Sequence, residues 1–396
     1  MFPAFQRRRR GLTLIELLAV VAIMVILISV AIPLIRPLLE NRKSREASRQ
    51  LNAYFVGAQA RATQLQRPVG VWIKRRGTRS PANAESFELF MAEAPPPYSG
   101  DTFSARCWIQ QNPNYPVGAS NPASNARHAR AYFNRKGVND SLLLFSPPGS
   151  LNPGQTYFVQ IGDLIRFDYR GPLYEIENIN RAGSPYYVDF RVPVGYPYVE
   201  IAKTSPMPPV GMPALGAHPG LAYQIYRREI RSSVNALTLP ETVTIDLSVS
   251  GIGLGVGAAS FSPVYATPPS PNSTPIVIMF HPRGGIDSVR IGNAAPFKPQ
   301  EPIYLLVGQA DKVAPPYGEA GDPPSTVPKQ KPIGPAANLA DLTNLWVKIN
   351  HRTGAVTTSE NAAFKANPSL GVDAKVANAI QQARAIARQG DSMGGL

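Results

Sequence analysis

Cysteine is all but missing: the chain has 396 residues and one of them, Cys107, is a cysteine. That excludes an internal disulfide and a metal site built from cysteines. Charge is also sparse, at 17% of residues against a usual quarter, but apolar residues reach 44%. Disorder throughout is therefore excluded, and there is material for a sizeable core in one or two domains. Histidine is scarce too. His128, His218, His281 and His351 stand far apart, with no Cys, Asp or Glu at helical or hairpin ligand spacing. The chain lacks a Gly-x-Ser-x-Gly nucleophile elbow and a phosphate-binding loop ending in Gly-Lys-Ser/Thr. The expectation is a protein that is not an enzyme and uses no cofactor and no metal.

Proline is abundant instead, at 41 residues, with five before residue 95 and one after residue 335. Each interior proline removes a helical donor and clashes with the preceding turn, so the central region cannot be a helical bundle. The net charge of +14 is uneven as well: residues 1–79 hold 15 Lys/Arg against 3 Asp/Glu, and residues 80–396 hold 25 against 23. Basicity belongs to the N-terminal fifth.

That fifth opens with four arginines, Arg7 to Arg10, and then an apolar run. Leu17 to Ile35 are 19 consecutive uncharged residues, enough at 1.5 Å each to match a hydrocarbon core of about 30 Å. The arginines would hold their end in the cytoplasm, with the rest of the chain across the membrane. A cleaved secretory signal fits less well, because the run is long and no A-x-A-like site follows. Glu16 interrupts the pattern among Leu14, Ile15, Leu17 and Leu18. A carboxylate at the edge of a membrane span is costly and calls for a partner.

Gly11-Leu12-Thr13-Leu14-Ile15-Glu16, after a basic leader and before a long apolar helix, resembles the processing site of type IV pilins and of the pseudopilins of type II secretion. The resemblance implies cleavage after Gly11 by a membrane prepilin peptidase and N-methylation of Leu12. It also implies that Glu16 offsets the new α-amino charge during filament assembly; two opposite charges buried together cost less than either alone. The family prefers phenylalanine where this chain has Leu12.

Beyond the span, Ala47, Leu51, Tyr54, Ala58, Ala62 and Leu65, with Phe55 beside Tyr54, form one helical stripe, and Arg42, Arg45, Arg49 and Asn52 lie off it. Pro33 and Pro37 are expected to kink this helix, and Pro68 to end it. After Pro68 the period becomes two at Val69, Val71 and Ile73. Strands are expected at Ser86–Met91, Ala131–Phe133, Leu142–Phe145, Tyr157–Ile161, Leu164–Tyr169, Leu173–Ile179 and Tyr186–Val192. Further strands are expected at Tyr223–Arg228, Thr242–Val249, Ile276–Phe280, Ser288–Ile291, Ile303–Val307 and Leu345–Asn350. The fold class is α+β: a long N-terminal helix, transmembrane then amphipathic, followed by a mostly antiparallel, sandwich-like head with a large insertion.

Short tokens extend the resemblance. Ala60-Arg61-Ala62, Arg67-Pro-Val-x-Val71, Leu239-Pro-x-x-Val243, Phe280-x-Pro-x-Gly284 and Thr353-Gly-x-Val356 are similar to the GspH/FimT group of minor pseudopilins and pilins. The organisation this implies is a leader at 1–11, a membrane helix at 12–35, a helical spine at 36–67 and a GspH-like head at 68–94 and 223–360. A β/loop insertion fills 95–222 and a tail with a short helix fills 361–396. Implied partners are other pseudopilins or pilins of the filament, the prepilin peptidase and membrane lipid, at an inner membrane with a periplasmic head.

Three further features need a reading. The glycines from Gly251 to Gly257 have no helix pattern after them, so they read as a strand connection rather than a phosphate cradle. Asp163, Asp168, Glu175 and Glu177 read as a solvated hairpin edge, with a divalent-ion site as the alternative. In the tail, Val376, Ala379, Ile380, Ala383 and Ala387 line a helix, with Lys375, Arg384 and Arg388 outside that line. FimT-like pilins bind DNA, so these three basic residues are the candidate nucleic-acid contacts. The competing classes are therefore a structural minor pseudopilin, a DNA-binding minor pilin, and an unrelated periplasmic enzyme or binding domain on a signal anchor.

Overall fold

A computed structural model describes residues 14–76, 84–111, 127–133, 158–181, 186–192, 220–232, 236–255, 260–262, 275–292, 294, 296–313, 337–365 and 372–393. Within the first helix the side chains of residues 30–39 lie outside that description. Helix α1 runs from Leu14 to Leu65, 52 residues or roughly 80 Å. Its end follows from local chemistry: Gln66 takes a left-handed conformation, φ 52°, its Nε2 donates to Thr63 O at 2.7 Å, and Pro68 cannot continue the helix. The chain stays helical through Pro33 and Pro37; the expected kink falls among the side chains outside the described residues.

Strands follow in the order β1 (Val69–Lys74), β2 (Glu85–Ser86), β3 (Glu88–Glu93), β4 (Trp108–Gln111), β5 (Arg127–Tyr132) and β6 (Leu164–Phe167). Then come β7 (Arg170–Asn180), β8 (Tyr187–Val192), β9 (Tyr223–Tyr226), β10 (Ile230–Arg231), β11 (Leu237–Thr238) and β12 (Val243–Ile252). The chain ends with β13 (Ile276–His281), β14 (Gly284–Ile291), β15 (Ile303–Gln309), β16 (Leu345–Ile349), β17 (Val356–Glu360) and helix α2 (Val372–Met393). The fold is α+β, with a long N-terminal helix and mostly antiparallel sheets, as the sequence implies.

Two sheets share one core with α1. One has the order β10–β3–β1–β13–β14, with β11 also on β3; the other is β17–β16–β15–β12–β2. Alternation delivers Val69, Val71 and Ile73 from β1 and Ile276, Ile278 and Phe280 from β13 to the same interior as Leu305 and Val307 from β15. Ala47, Leu51, Phe55, Ala58 and Ala62 enter that core from the helix, all fully buried. Two details of the expected stripe are corrected. Phe55 is the central contact, edge-on to Phe280 at 6.4 Å, and Tyr54 is only half-buried beside it. Leu65 is exposed, because the helix ends where the sheet turns away. Close packing also explains Gly70: a Cβ there would fall 1.9 Å from Ile278 O of the neighbouring strand.

The second sheet is covered on both faces, which is why every residue of β12 is buried. Its outer face carries Val249, Tyr304, Leu306 and Trp346 against Val376, Ala379, Ile380, Ala383 and Ala387 of α2. Between Asp246 and Gly251 the pairing of β12 with β15 shifts register. That irregularity is held by Ser250 Oγ, which donates to Asp246 O and accepts from Leu306 N.

The third sheet, β4–β5–β8–β7–β6–β9, has its own core. Cys107, leading into β4, and Leu221, leading into β9, exchange backbone hydrogen bonds of 2.9 Å, so the first strand meets the last. Cys107, Ile109, Ala129, Ala131, Ile165, Phe167, Tyr223 and Ile225 point into the enclosed space. The result is a six-stranded antiparallel sheet whose two ends are tied by that bridge around one core. Its last strand reaches Tyr226. The expected strand at Tyr157–Ile161 is instead a bend and turn over its described residues, 158–161, and Leu142–Phe145 lies outside the described residues.

Candidate functional site

Gly11 and Leu12 lie outside the described residues. Glu16 sits in the first turn of α1, exposed, where the helix dipole favours a carboxylate. Around it the helix is apolar on all sides and covered by nothing among the described residues: Leu14 is 82% exposed, and Leu17, Val20, Ile23, Leu27 and Ile28 remain at least half exposed. A helix apolar all round is one that lipid or other protein surrounds. Among the described residues no helix is long and apolar enough to cross a membrane; the run expected to do so extends to Ile35, past the side chains described here.

From Glu40 onward the same helix is fastened to the head along its length. Gln309 Nε2 donates to Glu40 Oε2 at 2.7 Å, Lys43 Nζ reaches Glu241 O at 3.5 Å and Arg45 meets Glu360 at 3.6 Å. Two basic spine residues, Lys43 and Arg45, thus find partners on the head itself. Higher up, Asn52 Nδ2 donates to Thr358 Oγ1 at 2.6 Å and Tyr54 Oη to Leu89 O at 3.3 Å.

Four of the five short sequence tokens meet near the end of the helix, and the fifth, Leu239–Val243, lies instead beside Lys43. Gln59 Nε2 donates to Thr353 O at 2.9 Å, and the turn at Gly354 comes against the Gly284–Gly285 turn, tied by Ile286 N to His351 O at 2.8 Å. A side chain at Gly285 would strike Arg352 O, and its φ of 56° favours glycine as well. Arg61 and Arg67 both donate to Glu93, at 2.9 and 2.6 Å, and Ser232 Oγ adds a third bond at 2.9 Å. Burial works against the Glu93 carboxylate, but the bonds from Ser232 and Arg61 and the two guanidinium charges outweigh it and hold its pKa below the usual range. Tokens that are distant in sequence form one junction between spine and head.

The other candidates separate in space. Arg384, expected on the outside of the tail helix, is fully buried and donates to Val249 O at 2.6 Å and to Gly253 O and Gly255 O at 2.9 Å each. The glycine run therefore supplies carbonyls to a guanidinium, a role that sequence reasoning missed. Burial lowers the Arg384 pKa to about 10. Arg388 is exposed and Lys375 half-buried, so the three proposed nucleic-acid contacts do not share one face.

The acidic group also disperses. Asp163 is buried and accepts from Gln160 N and Arg228 N, at 2.8 and 2.9 Å, with burial raising its pKa despite those bonds. Glu177 faces His128 at 2.6 Å and Arg191 at 4.0 Å. Among the described residues no three His, Cys, Asp or Glu side chains gather in a way that could hold a metal ion. His281 Nδ1 accepts from Arg283 N, burial lowers the His351 pKa, and His218 lies outside the described residues.

No curated protein and no solved structure matches the chain. Residues 6–32 match the family model described as the Prokaryotic N-terminal methylation motif, which supports a type IV pilin-like protein processed by prepilin peptidase.

Proposed function

We propose that the chain is a minor pseudopilin of GspH/FimT type, a non-enzymatic structural subunit of a type II secretion pseudopilus. Peptidase cuts after Gly11, Leu12 becomes the methylated terminus, and Glu16 offsets the α-amino charge as subunits pack. The helix from Leu12 to Ile35 crosses the inner membrane once, with the head in the periplasm. The observation that carries this reading is the methylation motif at residues 6–32 continuing into one helix, bare over its first turns and seated in a β-rich head over its last. The convergence of the Arg61, Arg67, Gly284 and Gly354 tokens at the helix end supports the GspH/FimT type over a generic pilin.

Mass spectrometry of the N-terminal peptide from the membrane fraction tests it. A methylated Leu12 terminus is expected, and Gly11→Arg should leave the chain uncleaved. Glu16→Val should be cleaved normally but enter filaments poorly. An uncleaved wild-type terminus would sink the reading and leave a domain on a signal anchor. The DNA-binding alternative loses its central residue to the interior, since Arg384 is engaged with carbonyl groups.

A further inference from the structure

One end of the head is a rim of short turns at the level of Glu40. Gln309 ends β15, pairs with Val243 at the start of β12 and donates through Nε2 to Glu40 Oε2 at 2.7 Å. Pro240–Val243 and Ala310–Lys312 extend from those strand ends, joined by Ala310 N donating to Thr242 O at 2.9 Å. Asn338 fixes a third turn to the same place: its Oδ1 accepts from Gln309 N and its Nδ2 donates to Gln309 O, each at 2.9 Å. That turn returns to Leu345, which pairs with Val307, so Leu342 and Thr343 lie at the Gln309 end of the sheet. Lys312 Nζ ties two of the turns by donating to Asp341 Oδ2 at 2.8 Å. Thr353, against Gln59, marks the opposite end of the head.

The rim is open. Leu342 is 53% exposed, and Glu241, Thr242, Asp311 and Thr343 are exposed with it. Thr242 is β-branched and holds φ at 75°, a conformation such residues rarely adopt. Arg42, on α1 beside the rim, is exposed too. The helix sets the height of this rim, because α1 is continuous from Leu14 to Leu65. Glu40 is five residues past Ile35, so about 7 Å further along the axis. The headgroup layer on each side of the hydrocarbon is roughly 5–8 Å deep. A head fastened at Glu40 therefore begins at that layer, with no linker to lift it clear. We propose that this rim is a lipid-docking surface, which seats the unassembled head on the phospholipid headgroups of the bilayer that α1 crosses. This assignment rests on α1 spanning the membrane as proposed above. Leu342 enters the boundary between headgroups and acyl chains, where its apolar surface leaves water. Arg42 meets lipid phosphates, which a guanidinium binds through paired hydrogen bonds. Glu241 and Asp311 offset the nearby basic charge, so docking depends on Leu342 more than on anionic lipid. Entry into a filament must then lift the rim from the bilayer.

The test uses the full chain in vesicles of phosphatidylethanolamine and phosphatidylglycerol, with single introduced cysteines carrying a fluorophore; Cys107 is buried. Lipids brominated high or low on the acyl chain act as quenchers. A Leu342→Cys label should lose most of its emission to the high-brominated lipid, and a Thr353→Cys label should keep its own. An Ile26→Cys label, quenched by the low-brominated lipid, reports that α1 spans. Leu342→Asp should restore the emission of an Asp311→Cys label and leave the Ile26→Cys signal unchanged. Quenching at Ile26 with none at Leu342, or equal quenching at Leu342 and Thr353, overturns the docking surface and leaves the spanning helix intact. No quenching at Ile26 overturns both.

Discussion

Replacing Arg384 with methionine removes the guanidinium and keeps an apolar stem of similar reach. Val249, Gly253 and Gly255 then lose their donor. An unsatisfied buried carbonyl costs ~1–3 kcal/mol, so for three of them the gross penalty is on the order of 3–9 kcal/mol. Part of it returns, because the buried charge is itself unfavourable. A pKa held down to about 10 corresponds to ~3 kcal/mol of desolvation that the variant no longer carries. The net cost is roughly 3 kcal/mol at the centre of that range. It should appear as release of α2 rather than collapse of the head, since the layer under α2 is separate from the core around α1. Hydrogen exchange on the full chain reads this directly: α2 amides should exchange roughly ten- to several-hundred-fold faster while β1 and β13 stay protected. Unchanged α2 protection, together with weakened binding to duplex DNA, would mean that Arg384 works in solvent and that the buried placement is wrong.

Four further outcomes are expected. Gly70→Ala places a methyl 1.9 Å from Ile278 O and 2.7 Å from Met279 Cα, both backbone atoms, so the variant should lose more than ~3 kcal/mol in urea melts or fail to accumulate. Gly57→Ala, on the exposed side of α1 with only Met91 Cε at 4.0 Å, should instead stabilise by up to ~1 kcal/mol. Burial raises the Asp246 carboxyl to about 6, against bonds from Ser248 and Asn338 and with help from Glu85. A folded pKa above the unfolded one makes the penalty absent below pH ~4 and complete above pH ~6. Wild-type stability relative to Asp246→Asn should therefore gain about 3 kcal/mol on going from pH 7 to pH 4, and a flat difference would refute it. Glu93→Gln leaves Arg61 and Arg67 without their shared carboxylate, and a loss of ~1–2 kcal/mol is expected at pH 7. That difference should shrink as pH falls through the depressed Glu93 pKa.

The long helix and most strands could be read directly from period. Ala47, Leu51, Ala58 and Ala62 recur at helical spacing, and Val69, Val71 and Ile73 alternate. Failures have particular causes. Arg384 falls four residues after Ile380 and eight after Val376, squarely on the apolar line, but the usual exposure of arginine argued against the spacing. Strand β17, Val-Thr-Thr-Ser-Glu, lies at a sheet edge and has no apolar alternation to announce it. Strand β4 is four residues long and gains its place from β5. The tie between the ends of the third sheet rests on Cys107 meeting Leu221, a pairing across more than a hundred residues that no local window contains. Of the candidate site, the N-terminal signal could be read because one peptidase and one membrane read it in sequence order. The junction at Glu93 could not, since it joins Arg61, Arg67 and Ser232 from separate parts of the chain.

The segment that carries the third sheet leaves the first sheet and returns to it at one hairpin. The chain leaves β3 at Glu93 and re-enters at β10, where Ile230 pairs with Glu93 itself and Arg231 with Ala92. The whole third sheet is therefore an excursion from one β3–β10 hairpin, and no strand of the other two sheets depends on it for its order. A hairpin that tolerates so large a passenger is a natural grafting point. Swapping the third sheet for another unit with neighbouring termini would leave the pairing of the other two sheets and their packing on α1 unaltered.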